Sequence, residues 1–305
     1  MRTIFHGFWS GQFKQKQQIS LKSALATQQG EIWLWLDEKD GWEERLSNPF
    51  VTEISGKIVL KKYSISTEVI GTPLEHNIHL YTTDKVSTSD VFRFLILYHY
   101  GGVYFDLDVL FLKDFSPLLT EQFAYPWDEN NQKLVSENKA AALNQAILHI
   151  YAKGDLALSI LHALNISLNN GNKYFNGYTG FAPFVTTTKH PDLHVLPMKF
   201  FDPCWVNNFR PKYFFEDSHD HSCYSDIPAA YAFHWHNCWD LPIDPNSKFA
   251  QLSNQYTQPM LPPPASITPF KMIAIIVGVI ILIAFIVLFI LCFTYNKKYN
   301  LAKYR

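Results

Sequence analysis

The sequence predicts an α/β domain followed by one C-terminal transmembrane helix. Strand and helix patterns alternate over residues 1–255, as is typical of α/β folds. Near the middle of this stretch, an apolar strand pattern ends in the acidic pair Asp106 and Asp108. Residues 272–293 form a run of 22 residues without a charge. The alternating patterns predict the domain, and the acidic pair places its candidate site at the end of a strand. The uncharged run predicts the membrane span.

The predicted elements follow from the spacing of apolar residues. Runs rich in β-branched and aromatic residues predict strands, and runs with one apolar face predict helices. The predicted strands cover residues 3–9, 31–36, 58–63 and 103–105. The predicted helices cover residues 19–28, 87–100 and 144–168, the last interrupted by Gly154. Gly101 and Gly102 are expected to end the second helix just before the strand that carries the acidic pair.

The composition favours a folded domain without a nucleic-acid partner. Hydrophobic residues make up 48% and aromatic residues 16% of the 305 residues, which is enough for a sizeable core. The net charge of −1 is unevenly distributed, because residues 271–305 carry five basic residues and no acidic one. The remainder is therefore mildly acidic and has no basic stripe, so we expect no nucleic acid among the partners.

The apolar run at residues 272–293 predicts a single membrane span. A helix of that length measures roughly 33 Å, and the hydrocarbon core of a bilayer is about 30 Å thick. Residues 256–271 are rich in proline and predict a stiff linker, and residues 294–305 form a basic tail. The predicted organisation is thus an α/β domain at 1–255, a linker, a transmembrane helix and a tail, with the lipid bilayer as one partner.

Two signals disagree about the side of the membrane on which the α/β domain lies. The basic tail, by the positive-inside rule, places the C-terminus in the cytosol and the domain on the opposite side. However, the first residues contain no apolar stretch of signal-peptide length, and a terminal anchor inserts after synthesis. Cys204, Cys223 and Cys238 form an odd, sparse set that predicts no disulfide framework. We therefore expect a single-pass protein anchored by its C-terminus, with the domain in the cytosol.

Asp106 and Asp108 are the candidate catalytic and metal-binding residues. Residues i and i+2 of a strand face the same side, so the two carboxylates should meet. Like charges raise each other's pKa unless a cation lies between them, and carboxylate oxygens suit Mg²⁺ or Mn²⁺. The apolar neighbours predict a buried strand, in which an unpaired carboxylate is costly. A metal site or a nucleophile is therefore favoured over a solvated turn.

The segment from Ser89 to Asp108 resembles the signature of the DXD sugar-binding glycosyltransferases. It reads Ser-Asp-x-x-Arg-x-x-x-Leu-x-x-x-Gly-Gly-x-Tyr-x-Asp-x-Asp. This family, glycosyltransferase family 32, is related to the clostridial glucosylating toxins. The resemblance spans about residues 3–240 and implies a GT-A fold that binds a nucleotide sugar. It also implies transfer from a UDP- or GDP-sugar with retention of the anomeric configuration.

The resemblance implies which residues bind the donor. Trp9 ends a segment similar to the family's Ile-His-x-x-Trp strand, and it would stack on the nucleotide base. Asp90 and Arg93 correspond to the residues that hold the sugar hydroxyls in the toxins. Tyr104 would lie against the sugar or pack beside it. By spacing alone, Asp90 and Arg93 would form an ion pair on one helical face.

The resemblance also implies residues for the acceptor and the metal. Asn144 lies in a segment similar to the family's Asn-containing helix beside the acceptor cleft. Residues 232–239 are similar to the family's closing His-x-Trp segment, so His234 would join Asp106 and Asp108 around Mn²⁺ or Mg²⁺. The membrane anchor suggests a membrane-associated acceptor, namely a glycolipid, a glycan or a protein.

Alternative interpretations stay open at this point. Asp106 followed by Leu-Asp-Val also fits a haloacid-dehalogenase-like phosphatase with Asp106 as the nucleophile, although that motif normally begins its fold. Two His-x-His-x-Cys groups, ending at Cys223 and Cys238, have the ligand types of zinc without its usual spacing. A non-catalytic membrane protein that binds a nucleotide sugar is the third alternative.

Overall fold

A seven-stranded, mostly parallel sheet organises the fold, and a two-stranded sheet lies beside it. The strands are β1 (Ile4–Trp9), β2 (Glu31–Asp37), β3 (Val59–Tyr63), β4 (Gly102–Phe105), β5 (Val109–Phe111), β6 (Gln122–Pro126), β7 (Leu143–Ile150), β8 (Leu193–Val195) and β9 (Ala232–His234). The large sheet has the order β3-β2-β1-β4-β7-β6-β8, and β5 pairs with β9. Strand β7 is antiparallel to both of its neighbours, whereas β1 is parallel to β2 and β4. The predicted α/β class is thereby confirmed.

The helices pack as two groups around these strands. They are α1 (Gln15–Thr27), α2 (Trp42–Leu46), α3 (Pro49–Thr52), α4 (Ile65–Glu68), α5 (Lys85–Tyr100), α6 (Glu129–Ser136), α7 (Asp155–Asn169) and α8 (Lys248–Thr257). Helices α5 and α7 pack together in one core that includes Phe8, Trp35 and Leu148. Helix α1 packs against β5 and α8 in a second core that includes Leu110 and Phe233.

The computed structural model describes residues 2–80, 85–171, 192–205, 210–216 and 221–257. The linker beyond residue 257, the predicted transmembrane helix at 272–293 and the basic tail lie outside these residues. Within the described ranges, no helix combines the length and the apolar character that a membrane span requires. The predicted anchor therefore stays a prediction.

The local predictions hold for the N-terminal half of the domain and fail at one strand. Strands β1, β2 and β3 lie within a residue of their predicted bounds, while α1 begins four residues early and α5 two residues early. The predicted helix at 144–168 is wrong in its first part, because β7 occupies that part of the chain and only α7 is helical. All eight residues of β7 are buried. A strand buried on both faces loses the alternation that distinguishes it from a helix.

The cysteines differ from their expected state, because Cys204 and Cys223 form a disulfide. Cysteine pairing depends on the folded chain and does not follow from sequence spacing. The disulfide removes Cys223 from the first His-x-His-x-Cys group, so a zinc site with that ligand is excluded, and His219 of that group lies outside the described residues. Cys238 is free and partly exposed. The prediction that these cysteines form no disulfide is therefore wrong for Cys204 and Cys223.

A buried histidine joins the first strand to the turn that precedes the acidic pair. His6 is fully buried, and its Nε2 donates to the carbonyl oxygen of Gly101 at 2.8 Å. Its Nδ1 accepts from Nε1 of Trp35 at 3.1 Å. This pattern assigns the neutral tautomer with the proton on Nε2. Burial lowers the pKa of His6 from 6.5 to about 4.

The stability of the domain should therefore fall in mild acid. Because folding lowers the pKa of His6, its contribution is fully present above the unfolded value of 6.5 and is lost as the pH falls toward 4. Between those values we expect the free energy of unfolding to fall by about 3 kcal/mol. Urea denaturation at several pH values would measure this fall. The slope should flatten in His6→Gln and persist in His162→Gln, which changes an exposed residue of α7.

Candidate active site

The backbone brings the acidic pair and a distant histidine to one turn. The amide of Asp106 donates to the carbonyl of Ala146 at 2.8 Å and so extends the pairing of β4 with β7 by one residue. Asp108 follows in the turn that leads to β5. In the small sheet, Val109 of β5 is paired with His234 of β9, and the amide of Trp235 donates to the carbonyl of Asp108 at 3.0 Å. The turn between the two sheets is thus where the three candidate ligands meet.

The geometry of this turn fits a divalent cation. One potential ligand atom from each of Asp106, Asp108 and His234 lies within 4.8 Å of the other two. Oδ2 of Asp108 is 3.5 Å from Nε2 of His234 and accepts from the amide of Asn237 at 2.6 Å. Oδ1 of Asp108 is buried and has no hydrogen-bond partner among the described residues. An unpartnered buried carboxylate oxygen next to a second carboxylate and an imidazole is the donor set that Mn²⁺ or Mg²⁺ takes.

The charges at the turn indicate the same kind of ligand. Burial raises the pKa of Asp106, and the charge of Asp108 raises it further, against the opposing effect of Arg93. Burial also disfavours the charged form of Asp108, but His234 and the amide of Asn237 hold the pKa of that carboxyl below its usual value. Although burial lowers the pKa of His234, Asp108 and Asp202 raise it to about 10. The site thus places positive charge between buried carboxylates, as a cation would.

Arg93 connects the sugar-binding candidates to the acidic pair. Its guanidinium lies 3.1 Å from Oδ1 of Asp90 and 3.6 Å from Oδ1 of Asp106. It also donates to the carbonyl of Gln145 at 2.9 Å and lies over the ring of Tyr104 at 4.7 Å. The predicted pair of Asp90 and Arg93 is therefore formed, and both side chains are buried. Within this network, Arg93 is placed to fix the carboxylate of Asp106.

Tyr104 and Asn144 are both buried beside the acidic pair. Tyr104 is 1% exposed, and its hydroxyl contacts Ser89 and donates to Oδ1 of Asp106. Asn144 lies on β7 rather than on a helix, and its Oδ1 accepts from the amide of Ala146 at 2.8 Å. Neither side chain lines the cleft at the acidic pair. The contacts of Tyr104 orient Asp106, and those of Asn144 support the strand beside it.

A cleft of about 340 Å³ opens over the acidic pair, within the usual size of a ligand site. Four of the predicted residues line it, namely Trp9, Arg93, Asp106 and Asp108. The lining also includes residues that sequence reasoning did not assign, namely Phe8, Ser10, Lys85, Val86, Ser89, Leu107, Asn237 and Trp239. The rings of Trp9 and Trp239 meet edge to face at 4.7 Å. Asn237 and Trp239 lie in the segment at 232–239 that resembles the family's closing segment. This resemblance was the sequence feature that could have identified them as cleft residues.

The turn after β9 adopts a backbone conformation that is rare for residues other than glycine. His236, Asn237 and Cys238 have φ angles of 50°, 70° and 61°, all in the left-handed region. Consecutive residues in this region persist only where surrounding contacts hold them. One such contact is the bond from the amide of Asn237 to Asp108. Nothing in the sequence of this segment predicts that conformation.

The sequence comparison assigns the chain to an enzyme class. Residues 15–124 match the family described as "Glycosyltransferase sugar-binding region containing DXD motif". This range contains Asp90, Arg93 and the acidic pair, whose geometry is described above. Residues 15–124 therefore form a DXD glycosyltransferase region, which indicates a glycosyltransferase and sets the phosphatase interpretation aside. No curated protein matches the sequence.

Solved structures of glycosyltransferases resemble this chain at low sequence identity. An active-site mutant of LgtC is 13% identical, with a TM-score of 0.51 over 87% of this chain and 98% of that chain. PaToxG glycosyltransferase is 15% identical, with a TM-score of 0.48 over 62% of this chain and 70% of that chain. The likeness to LgtC shows a shared α/β architecture, which is consistent with the GT-A fold that the resemblance implies.

Proposed function

We propose that the protein transfers a sugar from a UDP- or GDP-sugar to a membrane-associated acceptor, with retention of the anomeric configuration. The observation that carries this proposal is the meeting of Asp106, Asp108 and His234, of which the two carboxylates line the cleft. A buried oxygen of Asp108 is left without a partner among the described residues. Polar groups left unpaired in a buried site indicate a missing ligand. The diphosphate of a nucleotide sugar, together with a divalent metal, supplies the charges that this arrangement requires.

Asp106, Asp108 and His234 would hold Mn²⁺ or Mg²⁺. Such a cation, when bound, supplies a Lewis acid that neutralises the charge on the departing nucleoside diphosphate. The chain itself keeps its carboxylates in place, because Arg93 and Tyr104 fix Asp106 while the amide of Asn237 fixes Asp108. Side chains that are held before substrate binds lose little freedom when it arrives.

The cleft provides further groups for a nucleotide and its phosphates. Trp9 is partly exposed at the end of β1, and a flat aromatic ring there suits a nucleobase. Lys85 lines the cleft at the first residue of α5 and adds a positive charge. Asp40 accepts from the hydroxyl of Ser10 and from the amide of Gly11 at 2.9 Å, and this contact fixes the loop after β1. These residues support binding of the donor at the C-terminal end of β1.

The acceptor and the side of the membrane are proposed from different features. A C-terminal anchor at residues 272–293 would keep the cleft close to a bilayer, which favours a glycolipid, a glycan or a protein at the membrane. The disulfide between Cys204 and Cys223 favours an oxidising compartment. The basic tail favours the same orientation, with the tail in the cytosol. We therefore propose the lumenal or external side for the domain in place of the expected cytosolic side.

Removing the aromatic ring of Trp9 should weaken nucleotide binding. In Trp9→Leu we expect the Kd for UDP or GDP, measured by calorimetry with Mn²⁺, to rise roughly tenfold, because base stacking contributes about 1–3 kcal/mol. Trp33→Leu is the matched control, since Trp33 is partly exposed but lies outside the cleft. Equal affinity of the Trp9 variant and the unchanged protein would contradict the stacking role.

A further inference from the structure

A buried carboxylate outside the acidic pair touches both histidines of the closing segment. Asp202 follows the short helix at Met198–Phe200 and is 1% exposed. Its Oδ2 lies 2.6 Å from Nε2 of His236 and 3.5 Å from Nδ1 of His234. Its Oδ1 has no hydrogen-bond partner among the described residues. Burying a carboxylate costs desolvation free energy, which hydrogen bonds to the two imidazoles would offset.

The two nitrogens of His234 face different groups. Nε2 is directed at the metal-binding turn, 3.5 Å from Oδ2 of Asp108. Nδ1 is directed away from it, toward Asp202 and toward the hydroxyl of Tyr125 at 3.2 Å. A proton on Nδ1 would satisfy Asp202, and a metal that displaces the proton of Nε2 would find the lone pair of that nitrogen on the side of the acidic pair. The contacts of Nδ1 with Asp202 and Tyr125 thus determine how the ring of His234 is oriented and that its Nδ1 carries a proton.

On the basis of the proposed function, we infer that Asp202 is a positioning residue that holds Nδ1 of His234, so that Nε2 of that ring stays available to a metal beside Asp108. A histidine that binds a metal commonly donates its other N–H to a carboxylate, which fixes its tautomer and orientation. Asp202 is the carboxylate in that position here. No motif of the sequence contains it, since Phe-Phe-Asp-Pro at residues 200–203 has no chemical signature.

Asp202 also supports the position of Oδ2 of Asp108 through His236. The ring of His236 is stacked on Trp205 at 3.6 Å and bonded to Asp202. These contacts hold His236 at its φ of 50°, the first residue of the left-handed turn. The next residue, Asn237, donates its amide to Oδ2 of Asp108. One carboxylate therefore supports both the histidine ligand and the turn that orients the aspartate ligand.

Binding of Mn²⁺ alone to the full-length protein tests this role without requiring the donor or the acceptor. In Asp202→Asn we expect the affinity for Mn²⁺, measured by electron paramagnetic resonance of the free ion, to fall about 10- to 100-fold. Asp155→Asn, at the exposed first residue of α7, should bind as the unchanged protein does. Equal affinity in Asp202→Asn would overturn the inference and leave the proposed function standing. Absence of Mn²⁺ binding in the unchanged protein would overturn both.

The tautomer of His234 provides a second test that needs no substitution, so it holds even if Asp202→Asn does not fold. Nitrogen-15 NMR of the unchanged protein loaded with diamagnetic Zn²⁺ should show His234 with Nε2 bound to the metal and a proton on Nδ1. His6 is the internal reference, because its contacts require the opposite tautomer, with the proton on Nε2. A bare Nδ1 on His234 would overturn the inference, since Asp202 would then have no proton to accept from that ring.

Discussion

Asp108→Asn should reduce sugar transfer by at least about 100-fold, the loss expected when one charged group of a preorganised site is removed. Asparagine keeps the volume of the side chain but removes the negative charge that faces His234 at 3.5 Å. It also replaces one carboxylate oxygen by an amide group, which does not bind Mn²⁺ or Mg²⁺ as an anion does. Release of nucleoside diphosphate, with Mn²⁺ in excess, is the measurement.

The loss should reflect chemistry rather than unfolding. Asp108→Asn should still fold, because the carboxamide oxygen of asparagine can accept from the amide of Asn237 as Oδ2 of Asp108 does. Its circular dichroism spectrum should match that of the unchanged protein. Asp106→Asn should show the same loss of transfer, whereas Asp155→Asn should show none. Full activity in either acidic-pair variant would remove that residue from the reaction.

Gly102→Ala should destabilise the domain by at least about 3 kcal/mol, the range of a backbone position that no side chain fits. Gly102 has a φ of 97°, and a Cβ there would lie 2.2 Å from the carbonyl oxygen of Ile4. That oxygen belongs to the first residue of β1, which the sheet holds in place. The clash can be relieved only by separating β1 from β4, and the acidic pair follows directly on β4.

Gly71→Ala is the matched control for Gly102→Ala. Gly71 has a φ of 73°, also in the left-handed region, but no atom lies within 4 Å of a Cβ built there. Its substitution should cost only the backbone conformation, about 1 kcal/mol. Urea denaturation of both variants measures the difference. Equal loss of stability in the two would show that the close approach to Ile4 has no energetic consequence.

The sequence was sufficient to predict the parts of the site that lie close together in the chain. Asp90 and Arg93 lie on helix α5, and the acidic pair follows directly on strand β4. The sequence patterns of this helix and this strand are clear. His234 was found only through its resemblance to a closing segment, although its place beside Val109 depends on strand pairing. Pairing of distant strands is set by the whole fold, and local patterns do not specify it.

The remaining parts of the site depend on tertiary structure that the sequence does not reveal. Asp202 lies far from the signature and becomes relevant only because β9 and its neighbouring segment meet there: the amide of His234 donates to the carbonyl of Phe201. The left-handed turn that begins at His236 contains no glycine, so the sequence does not predict its backbone conformation. Asn144 was placed on a helix because a fully buried strand does not alternate.

The most direct test of the proposed transferase activity is a donor panel. The full-length protein would be offered UDP- and GDP-sugars, with Mn²⁺ or with a chelator, and release of nucleoside diphosphate would be measured. We expect release from one class of donor, dependent on Mn²⁺ and abolished in Asp108→Asn. Release that is unaffected by the chelator would contradict the metal site at Asp106, Asp108 and His234. If the folded protein neither bound nor cleaved any donor, the proposed transfer from a nucleotide sugar would be wrong.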